Sequence, residues 1–323
     1  MRLKIKRWAK ALFLSLSACL FINTQGVLAF DRASSLALSN YILAVMHEDL
    51  GQIDQAISEY HKSLKADNKN AVVHLRLAVA YLKKNNIPES IKELNLSIKF
   101  DPEAVEPHAL LALLYATQNQ AQISAKEYEL AFKNAAKLEP QNVDIYKSLG
   151  ALYLQQKKLE PARDTYRLIL DLSPKDAQAH FYLANIYYEL KSRDAAIKEL
   201  KKTLELKPDY AEAMNYLGYL YVDENINLDQ AEGLIRKALE IEPDSGAYID
   251  SLGWFYFKKG KTQEALKELE RAAGLMDDPV IFDHLGDAYL KTGDKEKAKD
   301  AWQKSLKLKP GQDKVKKKLD ALR

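Results

Sequence analysis

Six histidines, a single cysteine and 45 carboxylates are the side chains here with the types to ligate a metal, move a proton or attack a carbonyl. His74, His108 and His180 stand in equivalent places, each three residues before a leucine that recurs along the chain. Metal ligation needs donors converging on one ion. Side chains at the same place of successive copies lie a whole copy apart and do not converge, so these rings are read as packing residues. The sequence contains no H-E-x-x-H, C-x-x-C or G-x-S-x-G pattern and no glycine-rich phosphate loop. The carboxylates lie among lysines, as at Lys198 and Glu199 or Lys267 and Glu268, the pattern of a solvated helix face. No residue is assigned to catalysis, to a cofactor or to a metal, and the chain is read as non-enzymatic.

The elements that carry these residues follow a period. Leucine returns at Leu43, Leu77, Leu111, Leu149, Leu183, Leu217, Leu252 and Leu285, in steps of 34, 34, 38, 34, 34, 35 and 33 residues. A small residue follows each one, and four residues after the leucine stands Tyr81, Tyr115, Tyr153, Tyr187, Tyr221, Tyr256 or Tyr289, with His47 in the first copy. Self-similarity at this period means stacked helix–turn–helix units sharing one continuous core. Leucine and tyrosine at i and i+4 share a face of the first helix, and the small residue admits the second helix closely. The second helix carries Ala56, Ser90, Ala162, Ala196, Ala231, Ala265 and Ala298, each followed four residues later by a larger apolar group. Pro102, Pro140, Pro174, Pro208, Pro243 and Pro310 close units, because proline cannot continue a helix.

Departures from the pattern carry expectations of their own. The third copy is four residues longer, about one turn, placed around residues 132–135 of its second helix, where it should disturb stacking against the fourth copy. The sixth has one extra residue near 225–227. The seventh lacks its closing proline, and its second helix is expected to stop early, at Gly274. Residues 313–323 read as a basic capping helix with Val315, Leu319 and Leu322 on one side and Lys314, Lys316, Lys317 and Lys318 on a solvated face.

With several positions recurring together in every copy, the chain resembles the tetratricopeptide repeat family, in copies spanning 37–70, 71–104, 105–142, 143–176, 177–210, 211–245, 246–278 and 279–312. The resemblance implies an all-α, right-handed superhelix (an α-solenoid) of about eight helix–turn–helix repeats plus the capping helix. In this family the first helices line a concave groove that binds protein or peptide partners. Carrying its groove positions over gives Tyr41, Leu75, Leu82, Phe181, Asn185, Tyr188, Asn215, Tyr219, Trp254 and Phe257. Asp250, Asp283 and Asp287 make the C-terminal end more acidic. Some members grip a terminal carboxylate with lysines and asparagines; only Asn185 and Asn215 match here, singly. The mode that the resemblance implies is an extended or helical partner against apolar pockets, with Tyr219, Trp254 and Phe257 as anchors. Repeats six to eight, through Asn215, Asp250 and Asp283 and the residues after each, resemble bacterial envelope adaptor lipoproteins that serve carboxyl-terminal processing proteases.

The first segment differs in kind. Arg2, Lys4, Lys6, Arg7 and Lys10 precede an apolar run over residues 11–22, then Val27, Leu28 and Ala29, the layout of a secretory signal over residues 1–29. The run is about half the ~20 residues of a membrane-spanning helix; an uncleaved anchor is the alternative. Leu16, Ser17, Ala18 and Cys19 also resemble a lipobox, in which Cys19 would bear lipid and become the N-terminus. Residues 30–36 form a lead-in to the repeats. The full chain has 48 basic and 45 acidic residues, a net +3, and cleavage after Ala29 leaves 43 against 45. The basic excess thus belongs to the export segment, and nucleic acid is not an expected partner.

These readings converge on an exported scaffold or adaptor, periplasmic or outer-membrane-associated in a bacterium. Two alternatives stay open. One is a structural organiser of an envelope or secretion complex that works through its convex face and ends. The other is a cell-wall glycan binder, with tyrosines stacking on sugar rings.

Overall fold

The structure, a computed structural model, describes residues 32–322. The export segment, Cys19 and the cleavage point after Ala29 lie outside the described residues. Among the described residues there are seventeen helices and no strand. In the first five copies the helix pairs are α1 (Arg32–Asp49) with α2 (Ile53–Ala66), α3 (Ala71–Lys83) with α4 (Ile87–Phe100), α5 (Glu106–Thr117) with α6 (Ala121–Leu138), α7 (Val143–Gln155) with α8 (Leu159–Leu172), and α9 (Ala177–Glu189) with α10 (Arg193–Leu206). The remaining copies are α11 (Ala211–Asp223) with α12 (Leu228–Ile241), α13 (Gly246–Lys258) with α14 (Thr262–Leu275), and α15 (Pro279–Thr292) with α16 (Lys295–Leu308). A short α17 (Asp313–Asp320) follows.

Each pair is locked where the sequence places small residues. Ala56, Ser90, Ala162, Ala196, Ala231, Ala265 and Ala298 are fully buried, and Tyr60, Leu94, Tyr166, Leu200, Ile235, Leu269 and Trp302 pack beside them out of solvent. A Cβ on Gly253 would stand 2.7 Å from Leu269 Cγ, so even alanine crowds that crossing. Hydroxyls tie the far ends of some pairs: Ser63, Ser97 and Ser305 each donate to the carbonyl 26 residues earlier, that of Ala37, Ala71 and Pro279. Asn70, Asn86, Asn142, Asp176, Asp278 and Asp294 cap the helices that follow them by accepting a first-turn N–H. Such a cap contributes about 1 kcal/mol.

One position escaped the sequence reading. Eight residues after each recurrent leucine the backbone is left-handed: at Gly51, Asn85, Asn119, Lys157, Lys191, Asn225, Gly260 and Gly293. It ends the first helix and turns the chain into the second. The sixth copy, with its extra residue, adds a second left-handed residue, Asn227.

The chain divides into two compact units, one ending at Ser124 and the other running from Ala125. The division falls within α6, which has 18 residues where every other second helix has 14. In the first unit, Ala44, Ala56, Tyr60, Val73 and Leu77 form one core cluster, and Ala78, Leu94, Leu111 and Leu114 another. The second unit has a chain of such clusters, the largest joining Leu200, Leu217, Tyr221, Ile235, Leu252 and Phe255.

Three expectations are corrected. The second helix of the seventh copy does not stop at Gly274; it runs to Leu275 and has the standard 14 residues. The recurrent leucine is core in seven copies, at 7% exposure or less, but Leu43 is 43% exposed because no earlier repeat covers it among the described residues. Lys318 is not part of a solvated face: its ammonium donates to Asp283 and to Asp287, at 2.7 Å each, while Val315 beside it is buried.

Candidate functional site

In the second unit, helices α7, α9, α11, α13 and α15 present the positions that the resemblance assigns to the groove. At its start is a cavity of about 290 Å³ lined by Lys147, Ala151, Leu154, Tyr166, Gln178, Ala179 and Tyr182. Its walls are mostly apolar, with one charge at the edge. Lys147 is paired to Asp176 at 2.6 Å, and Asp176 also caps α9 through the Ala179 N–H. Burial works to raise the Asp176 carboxyl, but the Lys147 ammonium and the N–H groups of Ala179 and Gln178 outweigh it and hold the carboxyl below its usual range.

Beyond the cavity runs a band of half-buried rings. Phe181 lies 5.0 Å from Tyr210 and 6.4 Å edge-on to Tyr216; Tyr188 meets Tyr216 edge-on at 5.6 Å. Tyr219 and Phe257 are half-buried farther along. The guanidinium of Arg193 covers the Tyr188 ring at 5.3 Å and pairs with Asp223 and Glu224. Asn185 turns its amide back to the Phe181 carbonyl at 2.8 Å, whereas the Asn215 Oδ1 is buried and has no hydrogen-bond partner.

Trp254 is a core residue. It is 8% exposed, with its ring stacked between His284 at 4.0 Å and Phe257 at 4.8 Å. Its indole N–H is buried without a partner. Sequence position alone puts it on the groove face; the ring of His284, from the next repeat, covers it.

The acidic end is largely compensated. His284 Nδ1 donates to both oxygens of Asp250, at 3.0 and 3.1 Å, and Lys318 takes Asp283 and Asp287. Complete burial works against a charged His284 ring, but Asp250, with Asp283 and Asp287 nearby, outweighs it and raises the pKa above the usual imidazole value. Burial raises the Asp287 carboxyl, against the opposing pull of Lys318.

A rule joins these contacts. The residue just before the leucine of one copy meets the residue two before the leucine of the preceding copy. Tyr216 meets Phe181 in this way, His284 meets Asp250, and Lys318, just before Leu319, meets Asp283. No within-copy periodicity points to such pairs, and the sequence reading missed them.

In the first unit the predicted groove residues are half-buried against the core clusters. Tyr41 packs against the Tyr60 cluster with ring centres 6.2 Å apart. Leu75 and Leu82 pack on the Leu94 and Leu111 cluster. The histidines are structural, with a partner that the sequence did not reveal: His74 pairs with Glu93 and His180 with Glu199, at 2.6 Å and nineteen residues apart in both cases. Burial disfavours a charged His74, but the bonds to Glu93 and to the Asn68 carbonyl prevail and raise its pKa. Among the described residues no group of three or more His, Cys, Asp or Glu side chains is placed to hold a metal, and no helix is long and apolar enough to cross a membrane.

Comparison with known proteins agrees with this architecture. Tetratricopeptide repeat models match residues 49–114, 109–177, 184–224 and 279–312. A tetratricopeptide repeat protein from Parabacteroides merdae ATCC 43184 is similar in structure, with a TM-score of 0.57 and 17% identity over 78% of this chain and 98% of that one. The Cut9–Hcn1 hetero-tetramer of the APC/C is similar with a TM-score of 0.55 and 15% identity, over 99% of this chain and 74% of that one. At these identities the likeness speaks for the fold alone. No curated protein matches the sequence. With its repeating leucine, its paired helices and four matching family models, the chain belongs to the tetratricopeptide repeat family.

Proposed function

We propose that the protein is an exported, non-enzymatic scaffold that binds a segment of a protein partner along the groove face of its second unit, in bacterial cell-envelope assembly or proteolysis. Tetratricopeptide repeats serve as protein-interaction scaffolds, and one observation carries the reading to this face. The 290 Å³ cavity between α7 and α9 opens among the positions of Lys147 and Leu154, and half-buried rings of Phe181, Tyr188 and Tyr219 continue from it. A cavity of this size takes one apolar side chain of a partner segment, and the rings supply the rest of the contact. The signal layout of residues 1–29 supports export.

The test is crosslinking in native envelopes followed by pull-down. A defined partner should be recovered, and Leu154→Asp with Tyr188→Ala should lower its yield at unchanged helicity. Equal recovery by the double variant rejects this face. Intact mass of the mature protein separates Cys19 from Phe30 as its N-terminus, and a retained residue 1 rejects processing.

A further inference from the structure

The cavity between α7 and α9 contains a polar group that the protein leaves unserved. Tyr166 of α8 lines it and is 3% exposed, yet among the described residues its hydroxyl has no hydrogen-bond partner. Its counterparts in other copies are served. Tyr60 in the first copy donates its hydroxyl to Glu48 at 2.7 Å, and Trp302 in the eighth donates its indole N–H to the Asp283 carbonyl at 3.2 Å. Glu48 stands five residues after its recurrent leucine; the fourth copy has Leu154 there, which cannot accept a hydrogen bond. The open space also has a cause in the sequence. Ala151, two residues after Leu149, stands where every other copy carries a larger residue, from Val45 to Trp254. The Tyr166 ring is held in place. Tyr182 lies against it with ring centres 5.3 Å apart, and a Cβ on Gly150 would stand 2.9 Å from its Cε2. A hydroxyl fixed in this way is organised before any ligand arrives.

We propose that this cavity is a pocket for an aromatic side chain with a neutral hydrogen-bonding tip, the phenol of a tyrosine or the indole of a tryptophan, bonded to the Tyr166 hydroxyl. The inference rests on the reading of this face as a partner site and narrows what fills it. Size selects a ring. An apolar cavity of about 150 Å³ holds benzene, so one of about 290 Å³ holds an aromatic ring with a polar substituent. Polarity selects the tip. A side chain that fills the cavity displaces solvent from the hydroxyl and has to replace that bond. Leucine or phenylalanine would cover the hydroxyl and leave it unsatisfied, which is the costly case. A phenol can donate or accept and an indole N–H donates, so both match a hydroxyl. Charge excludes an ionised tip. The one charge at the edge, Lys147, is already taken by Asp176 at 2.6 Å, and a carboxylate or ammonium buried here would lack a counter-ion. Burial also raises the pKa of the Tyr166 phenol and keeps it protonated.

The experiment titrates the purified protein with p-cresol, 3-methylindole and toluene, the side chains of tyrosine, tryptophan and phenylalanine, and follows binding by NMR. The two polar probes should bind with Kd of about 1 mM, ordinary for ligands of this size. Tyr166→Phe keeps the ring and removes the hydroxyl. It should lower the ratio of p-cresol affinity to toluene affinity by about 10-fold. Ala151→Leu fills the cavity from an exposed position and should abolish binding of all three probes. Circular dichroism checks that both variants fold. A ratio unchanged by Tyr166→Phe overturns the proposal, and so does the absence of any probe binding that Ala151→Leu removes. The envelope pull-down separates this pocket from the groove reading beneath it. Ala151→Leu should lower partner recovery, as Leu154→Asp with Tyr188→Ala should. A partner lost in that double variant but kept in full by Ala151→Leu overturns the pocket and leaves the groove standing. Probes bound as expected, with recovery indifferent to every variant, reject the groove and leave the chemistry of the pocket standing.

Discussion

His284 gives its Nδ1 proton to both oxygens of Asp250, so that one repeat is bonded to the repeat before it through a buried imidazole–carboxylate pair. The ring also carries the face of Trp254 at 4.0 Å. One histidine thus joins polar and aromatic packing across α13 and α15.

This pair makes stability depend on pH. The groups facing His284 are Asp250 on α13, Asp283 and Asp287 on α15, and Tyr219 on α11, with Lys318 of α17 on the two last aspartates. Its folded pKa lies above the unfolded value near 6.5. The stabilisation is therefore complete below that value and lost as pH rises through the folded pKa. Urea midpoints should fall over that range in the native protein. Asp250→Asn should flatten the fall, leaving the part due to His74, which has the same sign. Identical slopes in the two proteins would remove His284 as the source.

Helix crossings should respond to single methyl groups with opposite signs. Gly253→Ala drives a Cβ into Leu269, and Gly286→Ala drives one into Trp302. Each should cost about 1–3 kcal/mol by overpacking, as should Ala231→Leu. Gly233, in the exposed interior of α12, has nothing within 4 Å of an added Cβ. There alanine should stabilise by roughly 0.5–1 kcal/mol. Denaturant melts of the four variants check the contrast.

Lys157 holds a left-handed conformation, φ 56°, at the turn position where other copies use glycine. Lys157→Gly relieves that strain and should raise stability by roughly 0.5–1 kcal/mol, after the loss of chain entropy. A lower melting temperature would show that the lysine side chain contributes more than its backbone costs.

The end of the second unit depends on one valine more than on its lysines. Lys318 is about a third exposed, and its removal should cost about 1 kcal/mol or less. Val315→Asp puts a carboxylate in place of a buried side chain and should cost at least about 2 kcal/mol. Amide exchange in α17 is the readout. It should rise sharply in the valine variant and slightly in Lys318→Ala.

Much of this fold was legible because each copy repeats the same local chemistry. Leucine, a small residue and tyrosine at i, i+1 and i+4 state the pairing of two helices without help from the rest of the chain. The left-handed turn was hidden because Gly, Asn and Lys share that place, and the common property is a dihedral angle rather than a side chain. Trp254 was misplaced for a different reason. Its position in the copy is right, but what covers it is His284, thirty residues on. Contacts between copies pair unlike residues at shifted positions, and a period read within copies does not reach them. The same holds for Leu43, which no earlier repeat covers among the described residues.

The pairs that join copies differ in chemistry: ring on ring at Phe181 and Tyr216, carboxylate on imidazole at Asp250 and His284, carboxylate on ammonium at Asp283 and Lys318. They therefore specify the order of the copies. Grafting the eighth copy after the fifth would set His284 against Phe181 and leave it without an acid. Lys318 extends the series past the last full copy, so α17 serves as the opening fragment of a ninth. Any rearrangement of this solenoid has to respect which residue each copy offers to its successor.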